Sequence, residues 1–207
     1  MDCMMNSKHM LKKPINPQNY KMKKTLISTL FFLILSCQTQ KFNKENDIIY
    51  NLLIDKIYPN SSDSYYKKII IGEYTKAGEE IHQEINIEKL QDKFPSIQSE
   101  TYLNFIEVTE NTKRLTLSLN REYQIISQRE ESIIFYKPEN WNEFYIKYPQ
   151  TNGLMKLSAV GFNKNITQAL VYCENIANGW DGFASIFFFE RKNGNWTLIG
   201  IYKLWVS

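Results

Sequence analysis

The sequence predicts an α+β fold, in which an antiparallel sheet with its longest strands at the carboxyl end carries a few helices on one face. Four runs rich in β-branched and aromatic residues follow one another at that end, and clusters of Asn, Gly and Asp separate them. This pattern is typical of a meander of antiparallel strands. Earlier in the chain, apolar residues recur at helix spacing in several segments. Segregated helices and strands favour α+β over an alternating α/β fold.

The predicted four-strand meander covers residues 155–162, 167–173, 183–190 and 196–206. Asn193 and Gly194 stand between the last two runs, and such a pair supplies the two positive-φ residues of a type I′ turn. We therefore expect these two runs to form a tight hairpin.

Helices are predicted over residues 46–57, 99–111 and 140–148, with a short helical turn within 85–94. In the last helix, Asn140 and Glu143 have the spacing of a capping box, and Pro149 ends the apolar pattern. Its aromatic stripe consists of Trp141, Phe144, Tyr145 and Tyr148. We expect this stripe to pack on the meander. The alternative is that its Trp and Tyr side chains bind sugars or peptides. The residues predicted to be buried together with Phe144 are Phe162, Val171, Ile186, Phe188, Leu198 and Tyr202.

The other segments are less regular. We predict a turn at 60–64, a strand within 65–74 and an exposed charged loop over 76–84. Two short apolar runs, 123–127 and 133–136, flank a charged stretch and are interpreted as a hairpin.

The amino terminus predicts export and lipid anchoring. A basic start at Met22 leads into an apolar run that is too short to span a bilayer. This run ends in Ile34-Leu-Ser-Cys37, which resembles a bacterial lipobox. The resemblance implies that Cys37 is diacylated and becomes the first residue of the mature protein. An ordinary signal peptide followed by a chance cysteine is the alternative.

The predicted organisation follows from that signal. Residues 1–21 are interpreted as an upstream extension that is not native, 22–36 as the lipoprotein signal peptide, 37–45 as a polar tether, and 46–207 as a single domain. Residues 1–36 hold six of the 25 basic residues and one of the 22 acidic residues. The remaining 19 basic and 21 acidic residues give a net charge of about −2, which argues against nucleic-acid binding.

Catalytic and metal-binding patterns are missing from the predicted domain. His82 is its one histidine, whereas a zinc site needs several ligands at defined spacing. Neither a Gly-x-Ser-x-Gly elbow nor a phosphate-binding loop occurs. Cys173 lies in an apolar run and is expected to be a buried, inert thiol. We therefore predict no cofactor and no metal.

One loop is the candidate binding site. Residues 175–182 lie between two predicted strands and place Asn178, Trp180 and Asp181 at an expected exposed tip, where recognition often occurs. The alternative is a plain connection whose glycines supply positive φ and whose Trp180 folds back over the sheet edge.

Three functions are compatible with these features. The first is a non-catalytic, lipid-anchored binding domain of the bacterial cell envelope with a protein or glycan partner. The second is a hydrolase that uses the carboxylates of Asp181 and Glu190, which would have to lie about 5–10 Å apart. The third is an antagonist of a secreted toxin or enzyme.

A family resemblance covers residues 100–207. It is carried, in order, by Trp141-Asn-Glu-Phe-Tyr-Ile-Lys-Tyr-Pro149, Gly153-Leu-Met-Lys-Leu-Ser-Ala-Val-Gly-Phe-Asn163, Thr167-Gln-Ala-Leu-Val-Tyr172, Lys192-Asn-Gly-Asn-Trp196 and Trp205-Val-Ser207. These runs resemble uncharacterised secreted proteins and lipoproteins, many from the Bacteroidota. Members often carry a Cys- and Gly-rich segment where this chain has residues 174–182. The resemblance implies export and leaves the activity open.

Overall fold

The computed structural model describes residues 42–59, 68–137 and 140–207, of which Lys44–Ser207 form one compact unit. Within these ranges the fold is α+β, with six helices and a mixed seven-stranded sheet. The predicted fold class is therefore confirmed. The predicted signal peptide, Cys37 and the turn at 60–64 lie outside the described residues. No helix in the described part of the chain is long and apolar enough to cross a membrane.

The strands are β1 Lys68–Gly72, β2 Tyr123–Ile126, β3 Thr151–Leu157, β4 Gly161–Phe162, β5 Gln168–Asn178, β6 Asp181–Lys192 and β7 Asn195–Val206. They are ordered β2-β1-β3-β5-β6-β7, and β4 pairs with the start of β5. From β3 to β7 the pairing is antiparallel, as predicted for the meander. β1 runs parallel to both β2 and β3, because helical crossovers connect these strands.

The helices are α1 over 42–57, α2 Glu79–Glu84, α3 Ile87–Lys93, α4 Ser99–Val108, α5 Gln128–Ile134 and α6 Trp141–Lys147. α1, α4 and α6 were predicted from their periodicity, and α3 was predicted as a short helical turn. α1 is already helical at residue 42, so the last four residues of the predicted tether belong to a helix. Glu45 in that stretch is buried and accepts hydrogen bonds from Trp196 Nε1 at 2.7 Å and Arg191 at 3.0 Å.

Helices cover both faces of the sheet, not one. Neighbouring residues of β6 alternate between the faces, as expected for a strand. On one face, α1 packs Ile49 and Leu53 in a first core that includes Phe187 and Phe189. On the other face lie two separate clusters, a second core under α2, α3 and α4 and a third core under α5 and α6. Burial on both sides explains why the central strands are almost continuously apolar.

The aromatic stripe of α6 packs at the β3 margin of the meander and not on its centre. Phe144 is fully buried, but it belongs to the third core with Ile70, Ile126 and Leu154, over β1, β2 and β3. The residues predicted to be buried with it divide between the other two cores: Phe162 and Val171 lie in the first core with Leu198 at its margin, and Ile186 and Phe188 lie in the second with Tyr202 at its margin. These residues are not buried together with Phe144, because α1, α3 and α4 cover the two faces of the meander where they lie.

The predictions of a loop over 76–84 and of a hairpin over 123–136 are wrong for the same reason. Each region contains a short helix within a charged stretch of sequence. The predicted loop over 76–84 contains α2, which buries Ile81. The predicted hairpin of 123–136 is β2 followed by α5. Ser127 caps α5 by accepting a hydrogen bond from the Glu130 amide at 3.2 Å, which is half of a capping box. At α6, by contrast, no amide in the described ranges donates to the Asn140 side chain.

The turns and breaks of the meander are set by particular residues. Asn193 and Gly194 have φ angles of 51° and 83°, as the predicted type I′ turn requires. The first predicted strand is interrupted at residues 158–160 and forms β3 and β4. β4 lies directly under α4, since a Cβ at Gly161 would stand 2.3 Å from Phe105 Cα.

Candidate binding groove

The sheet face that carries the second and third cores is not fully covered by helices. Two clefts open there and share the side chains of Glu131 on α5 and Lys156 on β3. We call the cleft beside α6 and β7 the aromatic cleft, the cleft between β1, α2 and α5 the acidic cleft, and the two together the groove.

The aromatic cleft has a volume of about 410 Å³. Its side-chain walls come from the aromatic residues Phe135, Trp141 and Trp205 and the apolar residues Leu154 and Ile176. Polar groups of Glu131, Lys156, Asn178, Asp181 and Ser207 complete the lining. A concave, mainly apolar site with a few polar groups is the usual form of a ligand pocket.

Sheet register builds the floor of this cleft. Leu154 is opposite Ile176 and Lys156 is opposite Glu174, so all four side chains point to the same face. Further across the sheet, where β6 pairs with β7, Ala184 is opposite Trp205. Gly182 leaves room for the Trp205 indole, because a Cβ there would stand 3.2 Å from the Trp205 ring and 2.8 Å from the Asn175 carbonyl oxygen.

The opposite wall is held rigidly by aromatic packing. The ring centroids of Phe135 and Trp141 are 4.8 Å apart, and those of Trp141 and Phe144 are 5.4 Å apart with an edge-to-face geometry. Such pairs are stabilising beyond their burial. The Tyr145 hydroxyl donates to the carbonyl of Ala177 at 2.6 Å, which ties α6 to the end of β5.

The acidic cleft has a volume of about 500 Å³. Its charged lining consists of Glu73, Lys76, Glu79, Glu80, Glu131 and Lys156. The shared ion pair of Lys156 and Glu131 lies over β1, where a Cβ at Gly72 would already be 3.6 Å from Lys156 Cγ.

A charged network underlies the acidic cleft. Lys76 Nζ lies 2.8 Å from Glu80 and 3.5 Å from the buried carboxylate of Glu174. Burial by itself would lower the pKa of Lys76, but the hydrogen bond to Glu80 and the charge of Glu174 raise it overall. The hydrogen bond from Lys76 lowers the pKa of Glu80. Both side chains therefore carry their charges at neutral pH.

Tyr172 and Glu174 complete this network from β5. The Tyr172 hydroxyl donates to the Glu174 carboxylate. Burial, followed by the charge of Glu174, raises the pKa of Tyr172 far above its usual value. Tyr172 therefore stays protonated and acts as a hydrogen-bond donor. The network fixes the floor of the groove and provides no activated nucleophile.

Two of the three predicted site residues lie in the groove. Asn178 and Asp181 line the aromatic cleft, whereas Trp180 is 89% exposed at the β5–β6 turn and lies outside that lining. The predicted loop of 175–182 is mostly strand, and only Gly179 and Trp180 form the turn. The alternative reading of Trp180 is also wrong, because the side chain does not fold back over the sheet.

The geometry does not support the predicted catalytic pair. Asp181 and Glu190 lie near opposite ends of β6, roughly 30 Å apart at about 3.3 Å per residue. Glu190 instead accepts a hydrogen bond from Gln168 Nε2 at 3.1 Å.

Cys173 is buried, as predicted, and burial raises the pKa of its thiol well above the usual value. Among the described residues, no group of three or more His, Cys, Asp or Glu side chains could hold a metal ion.

Sequence reasoning missed most of the groove. Lys156 and Glu174 were visible as charged residues inside apolar strands, which is unusual for a buried sheet. Trp141 was recognised as part of a helical stripe but was assigned to the core. Trp205 gave no signal of its own, because its role depends on the register that places it beside Gly182.

In comparisons with known proteins, no family model, no curated protein and no solved structure matches the chain. The resemblance of residues 100–207 to secreted Bacteroidota proteins therefore stays a prediction. What the groove can do has to be argued from its own geometry and charge.

Proposed function

We propose that the protein is a non-catalytic binding domain, anchored to the bacterial cell envelope through a lipid on Cys37, and that its ligand occupies the groove. The observation that carries the binding proposal is the aromatic cleft. Six elements contribute to it, and three aromatic side chains line a cavity large enough for a ligand.

The rigidity of the groove supports binding. Aromatic packing and the Tyr145 hydrogen bond fix one wall, and the ion pairs of Lys76 and Lys156 fix the floor. A site held in this way is preorganised, which reduces the entropy lost on binding.

A protein or a glycan is the proposed class of partner, and nucleic acid is excluded from the proposal because the predicted mature chain is slightly acidic. The antagonist hypothesis is the special case in which the partner is a secreted toxin or enzyme.

A ligand screen tests the binding proposal. Peptide and glycan libraries are screened by thermal shift against the domain, against Trp205→Ala, and against Trp180→Ala as the matched control outside the cleft. A ligand at 100 times its Kd should stabilise the domain by about 2.7 kcal/mol. We expect Trp205→Ala to abolish that stabilisation and Trp180→Ala to retain it.

Two results would contradict the proposal. One is a ligand whose binding depends on Trp180 and not on Trp205, which would move the site to the exposed turn. The other is recovery of the bound ligand in a chemically altered form, detected by mass spectrometry, which would show catalysis.

A further inference from the structure

The charge of the groove points to the class of its ligand. Five acidic and two basic side chains line the two clefts: Glu73, Glu79, Glu80, Glu131 and Asp181 against Lys76 and Lys156. The groove lining therefore has a formal charge of −3. Arg114, which pairs with Glu73 from outside the lining, and Glu174, which pairs with Lys76 from beneath it, carry opposite charges and leave this excess unchanged.

The excess negative charge of the groove is available to a ligand. Lys76 and Lys156 are already engaged, the first by Glu80 and Glu174 and the second by Glu131. Within the described ranges, Asp181 and Glu79 have no salt-bridge partner, and one of them lines each cleft. An anionic ligand would have to displace an existing ion pair, whereas a cationic ligand would meet open carboxylates at both ends of the groove.

The aromatic cleft requires a second feature of the ligand, an apolar group. Trp205 and the rigid pair of Phe135 and Trp141 face a floor of Leu154 and Ile176. This surface favours an aliphatic or aromatic group, and its rings also attract a neighbouring ammonium or guanidinium group. A simple polyamine has the charges and lacks the apolar group. A peptide supplies both, because alternate side chains of an extended segment can differ in character.

We propose that the groove binds an extended basic peptide segment, which places an aliphatic or aromatic side chain in the aromatic cleft and its lysine or arginine side chains beside Asp181 and the carboxylates of the acidic cleft. This inference rests on the proposed function, since it names the ligand of the same site. Complementary charge then fixes the register of the peptide and rejects acidic partners.

The test is a titration with three blocked peptides of equal length that share a central leucine. Lysines flank the leucine in the first, glycines in the second and glutamates in the third. Binding is measured by isothermal calorimetry with the intact domain. We expect the lysine peptide to bind, the glycine peptide to bind about tenfold more weakly or worse, and the glutamate peptide not to bind. Raising the salt from low to about 0.5 M should weaken only the lysine peptide.

Three variants test whether the peptides bind in the groove. Asp181→Asn should weaken the lysine peptide about two- to fivefold and leave the glycine peptide unchanged. Trp205→Ala should weaken both peptides about tenfold or more. Trp180→Ala, one residue from Asp181 and outside the cleft, is the control and should change neither. Spermidine should compete poorly, because it offers no apolar group.

The outcomes separate this inference from the proposed function. If the glycine or glutamate peptide binds as tightly as the lysine peptide and Trp205→Ala still abolishes binding, the groove is a binding site and the basic-peptide inference is wrong. Equal binding of spermidine would also overturn the peptide inference. If no peptide binds and the library screen finds no groove ligand, both proposals fail.

Discussion

Phe144 contributes to stability through the third core, where it is fully buried between α5, α6 and the strands β1–β3. Truncation of a buried phenylalanine removes its transfer free energy and leaves a cavity. We predict that Phe144→Ala lowers the free energy of unfolding by about 3–5 kcal/mol. Ile146→Ala, on the same helix at 81% exposure, should change it by less than about 0.5 kcal/mol. Urea denaturation measures both, and a loss below about 1 kcal/mol for Phe144→Ala would contradict this packing.

Glu130 should make stability depend on pH in the acid range. It pairs with Lys147 and accepts a hydrogen bond from the Tyr148 hydroxyl. The hydrogen bond from Lys147, and then that from Tyr148, lowers the pKa of Glu130. A carboxyl whose pKa is lower in the folded state stabilises the fold fully above its unfolded pKa of about 4.3, and this stabilisation is lost as the pH falls through the folded value.

Substitution of Glu130 tests this linkage. Glu130→Gln should cost about 1 kcal/mol at pH 7, and the difference from the parent should shrink as the pH falls below about 4. Glu143→Gln, exposed in the first turn of α6, serves as the control. Thermal unfolding across pH 3–7 provides the comparison. A cost for Glu130→Gln that is constant over this range would show that the ion pair is not the cause.

At the scale of elements, the close contact of α4 with β4 depends on one glycine. A methyl group at Gly161 would overlap the backbone of Phe105, and relief of such a clash requires the helix to shift. We predict that Gly161→Ala lowers the free energy of unfolding by about 2 kcal/mol or more. Gly179→Ala is the matched control, because its Cβ meets nothing within 4 Å. Equal melting temperatures for the two variants would mean that α4 does not rest on β4.

Periodicity and turn chemistry explain which elements could be predicted. α1 and α4 have apolar residues at helix spacing, and Asn193–Gly194 defines its hairpin without reference to the rest of the chain. α2 and α5 were missed because their apolar residues form no helical pattern: α2 contains only Ile81, and the two in α5, Ile133 and Ile134, are adjacent in sequence. The Ser127–Glu130 capping pattern was the signal available for α5.

The groove could not be predicted, because it depends on pairings between distant segments. β1 lies between β2 and β3 through two parallel crossovers, and nothing local in a strand encodes a parallel partner. That arrangement brings Glu131 to Lys156 and places Trp141 across from Trp205. Only Asn178 and Asp181 were identified in advance, from their place beside a turn.

For the whole molecule, lipid anchoring predicts where the protein is found. A diacylated Cys37 would hold the protein at a membrane, since two acyl chains are enough for stable attachment. We expect the parent in the membrane fraction of a bacterial host and Cys37→Ser in the soluble fraction. Mass spectrometry of the parent's amino terminus should detect the acyl groups. Equal partition of the two proteins, or an unmodified amino terminus, would contradict lipid anchoring.

The central claim is that a basic peptide binds in the groove formed by the aromatic and acidic clefts, and the four tryptophans report on it directly. Trp141 and Trp205 line the aromatic cleft, Trp180 is exposed at the β5–β6 turn, and Trp196 is buried in the first core, where it donates to Glu45. The decisive measurement is the movement of the four indole N–H signals in a ¹⁵N-correlated NMR spectrum during titration with the lysine peptide. We predict that the Trp141 and Trp205 signals shift in a saturable manner while those of Trp180 and Trp196 stay in place. Shifts confined to Trp180 or Trp196, or no shift of any indole at millimolar peptide, would contradict the claim.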